Sequence, residues 1–140
     1  MRFLILAAAL SISSCAKEEP APSPVGLSPG TYAAGERDGL CISGLAPEQR
    51  AGFVVYGPGD RNCSASGRIS QTNGSWSLVP AGEGECRIPL LIQGGTIALG
   101  GAGPGCAYYC APGVTFEGKT FERIEHHSQS VTDLAGDRLC

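Results

Sequence analysis

The stretch Arg68-Ile69-Ser70-Gln71-Thr72-Asn73-Gly74-Ser75-Trp76-Ser77-Leu78-Val79 decides the fold class. Asn-Gly is the pair favoured at the centre of a two-residue type I′ hairpin, because both central positions need positive φ. Runs with a period of two flank it on either side. The register that such a turn imposes sets Ile69 opposite Leu78 and Gln71 opposite Trp76 on one face, with the serines and Thr72 on a wetter one. The same device recurs between Cys86 and Leu99 around Gly94-Gly95. There Ile88, Leu90, Ile92, Ile97 and Leu99 share a face. Leu91 falls on the other, which predicts that this side is partly covered as well.

Working outward from these hairpins, further short strands are expected at Thr31-Tyr32, Leu40 to Ile42, Phe53 to Tyr56, Val114 to Phe116 and Thr120 to Ile124. Gly35-Glu36-Arg37-Asp38-Gly39 and Gly57-Pro58-Gly59-Asp60 read as turns. Ala46-Pro47-Glu48-Gln49-Arg50 reads as a single helical turn with an early proline. Seven or eight short strands with regular turn signals predict an all-β domain, a small antiparallel barrel or sandwich. The 21 glycines and 10 prolines in 140 residues argue against a helical bundle, and 42% hydrophobic residues argue against wholesale disorder.

Six cysteines lie in this region: Cys41, Cys63, Cys86, Cys106, Cys110 and Cys140. An even number in a small exported domain reads as three disulfides. Zinc is the rival reading, but no C-x-x-C occurs, and the close pair Cys106 and Cys110 encloses Tyr108 and Tyr109. Six cysteines allow fifteen connectivities. The Gly94-Gly95 register carries Cys86 opposite Gly103, three residues short of Cys106, which favours Cys86–Cys106 over a strained Cys106–Cys110 ring. Cys110 is then expected to join Cys140 or Cys41. Cys63, near Cys86 across the Asn73-Gly74 hairpin, stays open as a competing partner for it.

The start of the chain carries an address. Arg2 precedes an apolar run from Phe3 to Leu10, which is the pattern of a secretory signal and is shorter than the roughly 20 residues of a membrane span. Ile12-Ser13-Ser14-Cys15 then resembles the lipobox of bacterial lipoproteins. That resemblance implies that residues 1–14 are removed as a signal peptide and that Cys15 is lipidated, giving the protein a membrane partner through its N-terminal lipid. Ala16, where lipoproteins retained at the inner membrane carry aspartate, implies an outer-membrane anchor facing the periplasm. Residues 15–30, with four prolines and no apolar periodicity, read as an extended tether of about 45 Å. Residues 31–140 read as the β domain. Loss of residues 1–14 removes only Arg2 among charged residues and takes the formal charge from −3 to −4. No basic stripe is left for nucleic acid.

Chemical motifs are sparse. His126-His127 lies in a polar stretch, and adjacent strand residues point to opposite faces, so a loop is the better account than a metal site. Ser128 or Ser130 with a histidine and Asp133 lacks a nucleophile elbow. Glu83 and Glu85, and Glu117 and Glu122, lie in or beside turns. The reading is therefore that the chain has no catalytic residue, no metal site and no cofactor. Tyr108 and Tyr109, between two cysteines, are candidate contacts for a protein partner.

Ser64-Ala65-Ser66-Gly67-Arg68 followed by Trp76 resembles a stretch of the membrane-bound inhibitors of c-type lysozyme, although Ile69 and Ser70 stand where that family carries a tyrosine. The resemblance implies a small β-barrel lipoprotein with Ser64 and Ser66 on the contact loop. The function expected is a lipid-anchored, non-enzymatic envelope domain that binds a partner. An inhibitor of lysozyme or another attacking hydrolase is the sharper alternative, and a small hydrolase the third.

Overall fold

Both central residues of the Asn-Gly turn take positive φ, 50° at Asn73 and 78° at Gly74, as a type I′ hairpin requires. The computed structural model describes residues 26–82, 85–125 and 130–140. Its strands are β1 (Gly30–Ala34), β2 (Asp38–Ser43), β3 (Arg50–Tyr56), β4 (Asn62–Thr72), β5 (Ser75–Pro80), β6 (Ile88–Gln93), β7 (Thr96–Leu99) and β8 (Thr120–Arg123). A short 3₁₀ helix, Pro104–Tyr109, lies between β7 and β8.

Each strand pairs antiparallel with the next, and β8 returns to β1, so the sheet closes into an eight-stranded barrel. Ile69 faces Leu78 and Gln71 faces Trp76, the register expected from the turn. In the second hairpin Leu90 faces Leu99 and Ile92 faces Ile97. An eight-stranded barrel is just wide enough for its own side chains to fill. Alternation does this: Tyr32, Leu40, Phe53, Val55, Ile69, Leu78, Ile88, Leu90, Ile97, Leu99 and Phe121 form one buried cluster. Phe116 lies against Phe53 edge-on, with ring centroids 5.3 Å apart, and covers one end.

Four expectations change. Leu91 on the outer wall is 53% exposed instead of covered, because nothing among the described residues packs over β6 there. Ala46-Pro47 is a tight turn closed by the Glu48 N–H donating to the Leu45 carbonyl, and it is not helical. Residues 114–116 form no strand. The folded unit also begins earlier than residue 31. Leu27 is buried in the barrel cluster, held by the Gln49 side-chain amide, which accepts from the Leu27 N–H (2.8 Å) and donates to its carbonyl (2.7 Å).

The disulfides are Cys86–Cys106, Cys63–Cys110 and Cys41–Cys140. The first is the bridge favoured by the hairpin register. The expectation that Cys110 meets Cys140 or Cys41 is corrected, and strand parity explains why. Cys63 sits in the barrel cluster, whereas Cys41 belongs to an outer cluster with Val54, Val131 and Leu139. Residues 130–140 therefore run over the outside wall of β2 and β3. Gly52 admits them: a Cβ there would lie 2.4 Å from the Leu139 carbonyl oxygen.

Three outcomes are expected. Mass mapping of a non-reduced digest will recover the Cys41–Cys140, Cys63–Cys110 and Cys86–Cys106 peptides with no free thiol among them. A Cys63–Cys86 peptide would contradict the barrel as described. Removing Cys41–Cys140, whose residues are 99 apart, will cost about 4–5 kcal/mol by loop-closure entropy. Separately, Gly52→Ala will expose the Val131 and Leu139 region to hydrogen exchange while leaving the barrel amides protected; loss of protection throughout would show that the outer segment does not open by itself.

Candidate functional site

Among the described surface elements, one short segment is both rigid and aromatic. Cys106 is buried and bonded to Cys86, just before β6. Four residues on, Cys110 is bonded to Cys63 near the start of β4, and the two form an isolated antiparallel bridge. The Ala111 N–H donates to the Asn62 carbonyl at 2.8 Å beside it. A single turn of backbone is thus covalently tied at one end to the segment leading into β6 and at the other to β4, and lies as a cap over one end of the barrel. Its position is fixed by covalent links and not by a large apolar face.

The two tyrosines inside this cap divide their work. Tyr109 packs against the barrel cluster, and its hydroxyl approaches Gly82 so closely that a Cβ there would lie 2.4 Å away. Tyr108 is 88% exposed. Their rings meet edge-on, centroids 5.5 Å apart at 88°, so the inner ring braces the outer one. Beside them opens a shallow cleft of about 360 Å³ lined by Ala102, Cys106, Ala107, Val114, Phe116 and Glu117. Phe116 forms part of both the barrel core and the cleft, which joins the cap to the interior packing. The arrangement presents a phenol ring, apolar walls and one carboxylate. Such a surface recognises a partner by shape and aromatic contact.

The other candidates sit elsewhere. Ser64 and Ser66 lie within β4, opposite Val54 and Gly52, on the outer wall. The contact loop implied for them is corrected to a strand, in which Ser64 and Ser66 point outward while Ala65 and Gly67 point inward. The Ser-Ala-Ser-Gly pattern is barrel alternation. Glu85, Glu117 and Glu122 are exposed. Glu83 and the stretch His126-His127-Ser128 lie outside the described residues. Among the described residues no three His, Cys, Asp or Glu side chains are grouped to hold a metal ion.

Sequence reasoning missed two polar anchors. Asp38 is buried at the start of β2, accepting from the Tyr56 N–H at 2.8 Å and from Lys119 Nζ at 2.7 Å. Gln49 is the other. Neither stands in a motif, since the partners are 81 and 22 residues away.

Tyr108→Ala is expected to change stability by no more than about 0.5 kcal/mol, as surface substitutions do. Tyr109→Ala, which empties a packed position, is expected to cost about 2–4 kcal/mol in denaturant unfolding. Equal effects would contradict the division between an inner and an outer ring. No protein-family model matches this chain, and no curated protein or solved structure matches it either.

Proposed function

We propose that this protein is a lipid-anchored component of a bacterial cell envelope, whose barrel binds a protein partner through its cap and catalyses no reaction. The observation that carries the reading is the exposed Tyr108 ring on a turn tied by disulfides on both sides. Holding an aromatic in place before binding lowers the entropy lost on association, and tyrosine is enriched among residues that dominate interface energies.

The geometry of the barrel supports the orientation. Leu27 is held by Gln49, just before β3, so the chain enters at the end where β1 and β3 begin. The cap is bonded at Cys63, near the start of β4, which is the other end of an antiparallel barrel. A lipid on Cys15 would then leave Tyr108 directed away from the bilayer. The anchor itself rests on the lipobox resemblance of Ile12-Ser13-Ser14-Cys15. Several acyl chains at about 0.8 kcal/mol per buried methylene give lasting attachment.

Two measurements test this. In bacteria fed labelled fatty acid, the wild-type protein will carry label and sediment with membranes, whereas Cys15→Ser will carry none. Label retained by Cys15→Ser overturns the anchor. A photoreactive phenylalanine analogue at position 108 will give a discrete protein adduct in intact cells, and the same analogue at position 71, near the opposite barrel end, will give none. The same adduct from both positions, or no adduct from position 108, overturns the binding role of the cap.

A further inference from the structure

On the outer barrel wall, the strand registers assemble a group of cations. Arg50 of β3 stands directly opposite Arg68 of β4, and both are exposed on the outer face. Arg68 in turn faces Val79 of β5. Leu78 pairs with Ile88, and this register carries Arg87 to the far side of Val79. The Arg87 guanidinium leans back across β5, with Nη1 3.5 Å from the Ser70 hydroxyl on the same strand as Arg68. Neighbouring strands lie about 4.8 Å apart, so three guanidinium groups share one band of the wall.

Like charges directly opposite each other destabilise a sheet. The chain is acidic overall, with 13 carboxylate residues against 10 cationic ones, so the grouping is not a by-product of a basic surface. The other described arginines are occupied. Arg37 pairs with Asp60, Arg61 donates to the Pro58 and Pro112 carbonyls, Arg123 to the Pro29 carbonyl and Arg138 to the Ser130 hydroxyl. Among the described residues, Arg50 and Arg68 make no side-chain hydrogen bond, and none of the three forms an ion pair. The exposed acids nearest in sequence, Glu48 and Glu85, form no ion pair either.

We infer that Arg50, Arg68 and Arg87 form a binding site for a phosphate-bearing ligand. The planar guanidinium donates two parallel hydrogen bonds to one oxyanion. A phosphate monoester carries nearly two negative charges and three acceptor oxygens, which suits a band of arginines better than a single carboxylate does. The hydroxyls of Ser70 and its cross-strand neighbour Ser77 supply further donors on the same face. A bound phosphate offsets the like-charge repulsion between Arg50 and Arg68. The phosphate is either a soluble one or the headgroup of an anionic lipid. This site stands on the wall and does not depend on the cap's role.

The test follows arginine Nε–H signals by NMR in the full-length protein in neutral detergent. It is titrated separately with inorganic phosphate and with micelles doped with phosphatidic acid. The Arg50, Arg68 and Arg87 signals are expected to shift saturably with at least one probe. Arg68→Gln and Arg50→Gln should each bind about tenfold more weakly, the loss of one charge-assisted hydrogen bond, and Arg61→Gln should bind as the wild type does. A response to inorganic phosphate assigns a soluble ligand; a response to doped micelles alone assigns a lipid headgroup. In phosphate-free, low-salt buffer both variants should melt no lower than the wild type, since each relieves the like-charge pair. No saturable shift with either probe, unchanged binding in both variants, or lower melting of both variants overturns the assignment.

Discussion

Closure of the sheet by β8 is the constraint on which the other features depend. This strand is four residues long, yet it pairs with both β1 and β7. Phe121 at its centre faces Ile97 and is fully buried, so the seam is sealed by an apolar side chain as well as by backbone hydrogen bonds. An open sheet of this size would present two rows of unpaired amides and carbonyls. Once closed, the interior is just large enough for one layer of side chains from each strand, and the mixture of Leu, Ile, Val and Phe fills it.

Closure also fixes what the disulfides can do. A barrel wall has an inside and an outside, and strand alternation assigns each cysteine to one of them. Cys63 faces in and is reached from above by the segment that folds over the barrel end. Cys41 faces out and is reached by the segment that runs along the wall. The bridges therefore do different work. Two tie a short cap that could not hold its own position by packing, and the third holds a strap across β2 and β3. The glycine at position 52 leaves space for that strap, in the same way that an inward Gly67 lets β5 approach β4.

The surface that results has two distinct regions. The cap offers a braced aromatic ring and an apolar cleft at one end of the molecule. The wall offers a band of arginines that owes its existence to the pairing of β3 with β4 and of β5 with β6. The chain enters the barrel at the end opposite the cap. Rigidity is common to both, since every strand involved is paired on both sides.

Local chemistry in the sequence was enough to determine the β class, the two hairpins and the inward faces of Ile69, Leu78, Ile88, Leu90, Ile97 and Leu99. A two-residue turn with positive φ leaves one register open to the strands that flank it, and alternation then assigns the faces. The number of cysteines and the proximity of Cys86 to Cys106 were legible on the same grounds. The tertiary structure alone decided that the sheet closes, that Cys110 meets Cys63, that Leu27 belongs to the core and that Arg50 stands opposite Arg68. Each of these depends on partners separated by loops whose length permits several registers, or by most of the chain. Such contacts are selected by the total packing of the barrel, and no local pattern of residues encodes them. The division between Tyr108 and Tyr109 belongs to the same class: two adjacent, chemically identical side chains acquire opposite roles only when the cap is seated.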